Sequence, residues 1–119
     1  MDRINIADKF ALFSETWSPK VIGELNGQHV KLARIEGEFE WHQHEHEDEL
    51  FLVVDGEMVM HYRDREVILK RGELVIVPRG LEHKPASAQG AKILLFEPAS
   101  TLNTGNVTSD RTVAAPDWI

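Results

Sequence analysis

The chain of 119 residues contains no cysteine, which excludes both a disulfide framework and a thiolate metal site. Long apolar runs are also missing. The longest stretches, Phe51-Leu52-Val53-Val54 and Leu74-Val75-Ile76-Val77-Pro78, fall far short of the about 20 residues that a membrane-spanning helix needs. Met1-Asp2-Arg3-Ile4-Asn5 shows no basic patch followed by an apolar stretch, so no signal peptide is expected and a cytoplasmic location is the default. Positive charge is scarce, with 13 Lys+Arg against 20 Asp+Glu and a net charge of −7. That balance argues against a nucleic-acid binder, which needs a basic stripe to neutralise phosphates, and against adhesion to anionic membranes. The expected partner is a small molecule or another protein subunit.

No repeat, low-complexity tract or Pro/Ser-rich linker divides the chain, and its length suits one domain with one hydrophobic core. Ile4 to Ser14 is read as a short helix capped by Asn5, with Ile6, Phe10 and Phe13 on one side. Trp17-Ser18-Pro19-Lys20 reads as a turn. Short strands punctuated by turn residues follow. Val21–Leu25 and Gln28–Leu32 flank Asn26-Gly27, the strongest local signal for a two-residue hairpin because both positions tolerate positive φ. Further strands are expected near Phe39–His44, Glu49–Val54, Glu57–Tyr62, Glu66–Leu69, Leu74–Val77, His83–Ala86 and Ala91–Glu97, with Asp55-Gly56, Arg63-Asp64, Arg71-Gly72 and Arg79-Gly80 as turns. Many short, regularly spaced strands imply an antiparallel sandwich or barrel, here with its core over residues 20–98. Phe51 to Val54 is apolar on both faces, as in a strand covered on both sides. Residues 99–119 read as an irregular tail folded back over the barrel or onto a partner subunit, with Trp118-Ile119 expected to dock.

Histidine is what the chain has in quantity. There are six, and three fall in Trp41-His42-Gln43-His44-Glu45-His46. On a strand, residues two apart share a face, with Cα atoms roughly 6.6 Å apart, so the imidazoles of His42 and His44 can converge on one ion. Glu45 to Asp48 can then turn the chain, returning Glu49 on the next strand. His83 is the best fourth ligand, since it follows the rigid corner built by Pro78 and Gly80. Three neutral imidazoles and a carboxylate suit Mn, Fe, Co, Ni or Zn better than calcium or Cu(I).

These residues fall into two patterns. The first is Gly37, four residues, His42-Gln43-His44, four residues, Glu49, six residues, Gly56; the second is Gly72, five residues, Pro78-Arg79-Gly80, two residues, His83. At ordinary residue frequencies the second pattern arises by chance on the order of once in two thousand chains of this length. Both resemble the two motifs of the cupin superfamily, and the 15 residues between Gly56 and Gly72 match its compact bacterial form. The gap after Gly37 is one residue shorter than usual. Ser87 stands where the second motif has an asparagine, so no role is carried over to it. The resemblance spans Gly37 to Ser87. It implies an all-β double-stranded β-helix, a jelly-roll barrel of two antiparallel sheets, with one divalent transition metal per chain inside its wider mouth. It also implies a homodimer.

The plainer alternative for His42, His44, Glu49 and His83 is a set of surface or core-satisfied histidines beside a solvated acidic loop, and a site that exists but is vestigial is a second. His46 is read as a loop residue at the pocket rim and Asp48 as a poorer fit than Glu49. His29 and His61 are ordinary strand residues. Trp41, Phe51 and Val53 are expected to form apolar wall or core, and Arg34, Lys84 and Arg79 to be solvated rather than to face an anionic ligand. Two functions remain open. One is an enzyme of isomerase, lyase or dioxygenase type, using the ion as a Lewis acid or to bind dioxygen. The other is a non-catalytic module that binds or senses a sugar-like or other small ligand. An acid or base beside the open coordination positions separates them, and Tyr62, His46 and Glu82 are the first candidates for it.

Overall fold

In a computed structural model describing all 119 residues, Asn26 and Gly27 adopt φ of +51° and +77°. Two consecutive positive φ values are what a two-residue hairpin between right-twisted strands requires. They join β1 (Lys20–Leu25) to β2 (Gln28–Glu38). The remaining strands are β3 (Glu49–Tyr62), β4 (Glu66–Lys70), β5 (Leu74–Val77) and β6 (His83–Pro98). Every pairing between strands is antiparallel. The sheet order is β1-β2-β6-β3-β4, with β5 also on β3.

The two long strands each serve two layers. The first half of β3 pairs with β5 and with the second half of β6, which in turn lies on β2. The second half of β3 pairs with β4 and with the first half of β6. Side chains from both halves, among them Ala33, Ile35, Phe51, Val53, Met58, Met60, Leu69 and Ile93, meet in one buried cluster. This is the expected all-β jelly-roll architecture, although the hydrogen-bonded sheet does not close on itself.

Three sequence expectations change. Asp55-Gly56 is no turn: β3 runs through it with a shift of register on either side. Gly56 has φ +84°, and a Cβ there would lie 2.6 Å from the Gly90 carbonyl oxygen. It is a bulge glycine that bends the strand from one layer into the other. Likewise β6 is one strand, not two, with Gly90 at φ +91° inside it. Phe39–His44 is not a ladder strand, since only His42 forms a bridge, with His83.

The outer face of β2 is covered by the N-terminus. A helix of five residues, α1 (Ile6–Phe10), has the Asn5 side chain accepting the Asp8 N–H at its start. So short a helix is unstable alone; Phe10 and Phe13 bury against Leu32, with Val54, Leu94 and Ile119 around them. Val54 is thereby covered from outside and Val53 from inside, as the double-apolar run predicts. Arg34 does not face solvent or a ligand. Its guanidinium donates to the carbonyls of Phe13 and Phe10 at 2.9 and 2.8 Å, satisfying acceptors that the helix end leaves free. The tail folds back on its own barrel: the Ile119 N–H donates to the Val21 carbonyl, beside a bridge from Trp118 to Val21. The Trp118 side chain stays exposed while Ile119 packs. No helix is long and apolar enough to cross a membrane.

Candidate metal centre and adjoining cavity

His42 and His44 owe their positions to backbone hydrogen bonds across to the second motif, not to a strand. The Phe39 N–H donates to the Pro85 carbonyl, His42 and His83 exchange two bonds of 3.1 and 2.9 Å, and the Gly80 N–H donates to the His44 carbonyl at 2.8 Å. Gly80 has φ +78°, the conformation that turns its N–H toward His44 at the end of β5. Asp48 braces the same corner by accepting the Arg79 backbone N–H at 2.8 Å and pairing with its guanidinium.

These constraints bring His42, His44, Glu49 and His83 together, all buried, with one ligand atom from each lying within 4.8 Å of the others. Atoms on opposite sides of one zinc-sized ion lie roughly 4 Å apart. The hydrogen bonds at the back of the rings set the tautomers. Nδ1 of His42 lies 2.8 Å from the Glu40 carbonyl and Nδ1 of His83 lies 2.9 Å from the Leu81 carbonyl. A carbonyl oxygen only accepts, so each Nδ1 carries a proton, and in the neutral ring it is Nε2 that presents the lone pair. Nε2 of His44 and His83 sit 3.2 and 3.4 Å from Oε1 of Glu49, yet none of the three atoms has a hydrogen-bond partner. Buried polar atoms without partners are costly, and a shared cation would satisfy all three.

The electrostatics point the same way. Burial, and then the charge of His83, push the His42 imidazole down to about 4, so it is neutral and able to ligate near pH 7. For Glu49 burial acts to raise the carboxyl, but the close imidazoles of His44 and His83 outweigh it and hold the group well below the usual carboxylate range. A neutral imidazole and an ionised carboxylate are the forms a divalent ion binds.

His42 and Glu49 also line a partly open cavity of about 50 Å³, several times the roughly 10–15 Å³ that one water needs. Trp17, Ile35, Phe39, Phe51, Ile93 and Leu95 supply apolar wall. Trp17 is held at φ +58°, costly for a bulky residue, by its N–H to the Arg34 carbonyl and its indole N–H to the Glu36 carbonyl. It stacks on Phe39 at 4.7 Å. The tail closes over these rings. Asn103 lines the cavity and donates to the Arg111 carbonyl; the Arg111 guanidinium in turn donates to the Glu38 carbonyl and lies 5.7 Å from the Trp17 ring.

Two cavity residues escaped the sequence reading, Lys31 and Glu97. Both are buried and Nζ lies 3.5 Å from Oε2. Burial and then the Glu49 charge raise the Glu97 carboxyl well above its ordinary range. Parity could have found them: Lys31 precedes Ala33 and Ile35 on the inward face of β2, and Glu97 follows Ile93 and Leu95 on that of β6.

None of the three sequence candidates for an acid or base lines this cavity. Tyr62 packs in the core cluster, His46 is exposed beside Glu45, and Glu82 pairs with Arg63 at the surface. Trp41 is not inner wall; Arg63 and Lys84 lie over its ring. Lys84 pairs with Glu38, His29 with Glu24 and His61 with Glu66. Ser87 donates to the Glu57 carbonyl at 2.7 Å, a structural role on β6.

Residues 28–96 match the family described as Cupin domain. The chain is 36% identical over 83 residues to the uncharacterized protein YdbB of Bacillus subtilis (strain 168), covering 69% of this chain and 67% of that one. Among solved structures, a cupin-2 domain containing protein from Shewanella frigidimarina is 45% identical with a TM-score of 0.79, covering 80% of this chain and 93% of that chain. A protein from Neisseria meningitidis is 28% identical with a TM-score of 0.76, covering 82% of this chain and 100% of that chain.

Proposed function

This chain belongs to the cupin-domain family, and from that premise we propose that it is a metal-dependent enzyme acting on a small molecule. His42, His44, Glu49 and His83 would hold one divalent transition metal. The observation that carries this reading is the set of buried, partnerless ligand atoms of His44, Glu49 and His83 beside a cavity that His42 and Glu49 line. When bound, such an ion supplies Lewis-acid polarisation of an oxygen on the substrate.

The chain's own residues do the rest. The backbone carbonyls of Glu40 and Leu81 fix the ring orientations of His42 and His83. Trp17 and Phe39 help keep the cavity lining largely apolar, and Asn103 of the tail adds a polar group to its wall. Glu97 places a titratable carboxyl in the cavity wall, where it can take or give a proton to a bound molecule. That feature favours catalysis over binding alone, since a binder needs no such group.

Elemental analysis of protein purified from its native host tests the metal. The expected result is close to one transition metal per chain, falling sharply in His44→Ala and His83→Ala. Unchanged occupancy in both variants, or a metal-free native protein, overturns the assignment. Proton NMR time courses on small hydroxy and carbonyl compounds then test catalysis. Turnover that Glu97→Gln abolishes is expected, and tight binding with no turnover of any bound compound makes the chain a binding module instead.

A further inference from the structure

Lys31 is an unusual residue to find in the wall of an apolar cavity. It is 3% exposed, and an ammonium so buried ordinarily satisfies its three donors at short range. Here Nζ has only two protein acceptors, Oε2 of Glu97 and the Thr101 carbonyl, each at the long distance of 3.5 Å. At least one N–H is left without a protein partner. A buried pair kept for stability needs close geometry to offset the loss of hydration, and this one lacks it.

We propose that Lys31 is the anion-recognising residue of the cavity, and that the ligand is a small organic carboxylate bearing a second oxygen. Its carboxylate would pair with Lys31 while the second oxygen faces the metal centre. The inference rests on the reading of His42, His44, Glu49 and His83 as metal ligands, and it adds the class of molecule bound there.

Charge and size both support it. A divalent cation, Lys31 and the Glu49 carboxylate leave the buried group with a net charge of +1 if Glu97 is ionised and +2 if it is protonated. An anion is favoured in either state, because uncompensated positive charge inside apolar walls is costly. A neutral molecule would leave that charge unbalanced. About 50 Å³ of cavity admits a fragment of about three to five heavy atoms, when one water takes roughly 10–15 Å³. Glycolate has that size and both oxygen functions, and ethylene glycol is its uncharged counterpart. Lys31 also sits where specificity can be enforced: it is anchored on β2, opposite Leu95 of β6, and its far contact, the Thr101 carbonyl, belongs to the tail that contributes Asn103 to the cavity wall.

The test uses the full chain loaded with Co²⁺, whose visible absorption responds to a change in coordination, and glycolate and ethylene glycol as probes in calorimetric titrations. Glycolate is expected to bind and to shift the Co²⁺ spectrum, with ethylene glycol binding at least about tenfold more weakly. Lys31→Met keeps the aliphatic stem and removes the charge. It should weaken glycolate by about 10- to 100-fold, the loss of one charge-assisted hydrogen bond, with Co²⁺ still bound at one per chain. Lys31→Arg should restore most of the affinity. Equal binding of the two probes to the wild-type chain overturns the proposal without recourse to any variant, and so does undiminished glycolate binding by Lys31→Met. Stoichiometric Co²⁺ with no response to glycolate overturns it while leaving the metal site standing. Failure of the wild-type chain to hold Co²⁺ removes the metal reading itself.

Discussion

Acidifying the metal-free protein should destabilise it through His42 in a defined window. The unfolded imidazole binds a proton near its ordinary value of 6.5, whereas the folded one resists until about 4, because of burial first and the neighbouring His83 second. Between those values the unfolded state holds more protons, so stability falls as pH falls. The effect is absent above about 6.5 and complete below about 4. At about 1.36 kcal/mol per pH unit the interval amounts to roughly 3 kcal/mol, a large part of the 5–15 kcal/mol typical of a domain. His42 is 3% exposed, so solvent screening takes little away. The Glu97 carboxyl, raised by burial and by Glu49, acts in the opposite sense: its folded form keeps a proton that the unfolded chain releases above about 4.5, so its contribution declines with rising pH. Both groups remain in the wild type, and the comparison that isolates His42 is with His42→Gln, which cannot titrate. Urea unfolding after chelation, at half-unit steps from pH 7 to 4, should give a free-energy curve for the wild type that drops about 3 kcal/mol relative to that of the variant. Parallel curves would refute the reasoning and place the His42 proton equilibrium near that of a free imidazole.

Gly56→Ala should destabilise the chain by roughly 2–5 kcal/mol, combining about 1–2 for a left-handed L-residue with about 1–3 for overpacking, since the new Cβ would lie 2.6 Å from the Gly90 oxygen. Chemical denaturation reads this directly, and a change under 1 kcal/mol would mean that the bulge can relax. Asp48→Ala should weaken metal binding by about tenfold while leaving the unfolding midpoint almost unmoved, because Asp48 touches the backbone of the Arg79-Gly80 corner and not the core; competition with a chelator measures it, and an unchanged affinity would show that the corner holds without it.

The four candidate ligands were legible because their spacing does two jobs at once, marking chemistry and marking corners. Leu74–Val77 was bounded correctly for the same reason, lying between Gly72 and Pro78. The bulges at Gly56 and Gly90 were not legible as bulges. A glycine with positive φ looks the same in a turn as inside a strand, and only the pairing of β3 with β6 tells them apart. His42 and His44 do converge, but strand parity is not the cause: the backbone bonds from His83 and Gly80 hold that segment. Arg34 was missed as a helix-end partner since nothing local ties residue 34 to residues 10 and 13.

Lys31 and Glu97 were overlooked because a charged residue in a strand is ordinarily read as outward. Their neighbours argue otherwise. Three strands carry inward runs that end in charge at the same end of the barrel: Lys31-Ala33-Ile35 on β2, Glu49-Phe51-Val53 on β3, and Ile93-Leu95-Glu97 on β6, all six apolar members lying in the one core cluster. A barrel built for stability alone would continue each run with Leu or Val, since well-packed apolar residues match or exceed a buried ion pair of equal volume. Here the buried Lys31, Glu49 and Glu97 line a cavity together with His42, His44 and His83 are grouped with His42 and Glu49, and the ligand atoms of His44, Glu49 and His83 are left unpaired. The local rule for filling a core is broken by this cluster, and places where such rules fail are where function is expected. In the reading proposed above, a cation would satisfy the unpaired atoms of His44, Glu49 and His83, and an anionic ligand beside it would complete the long contacts of Lys31.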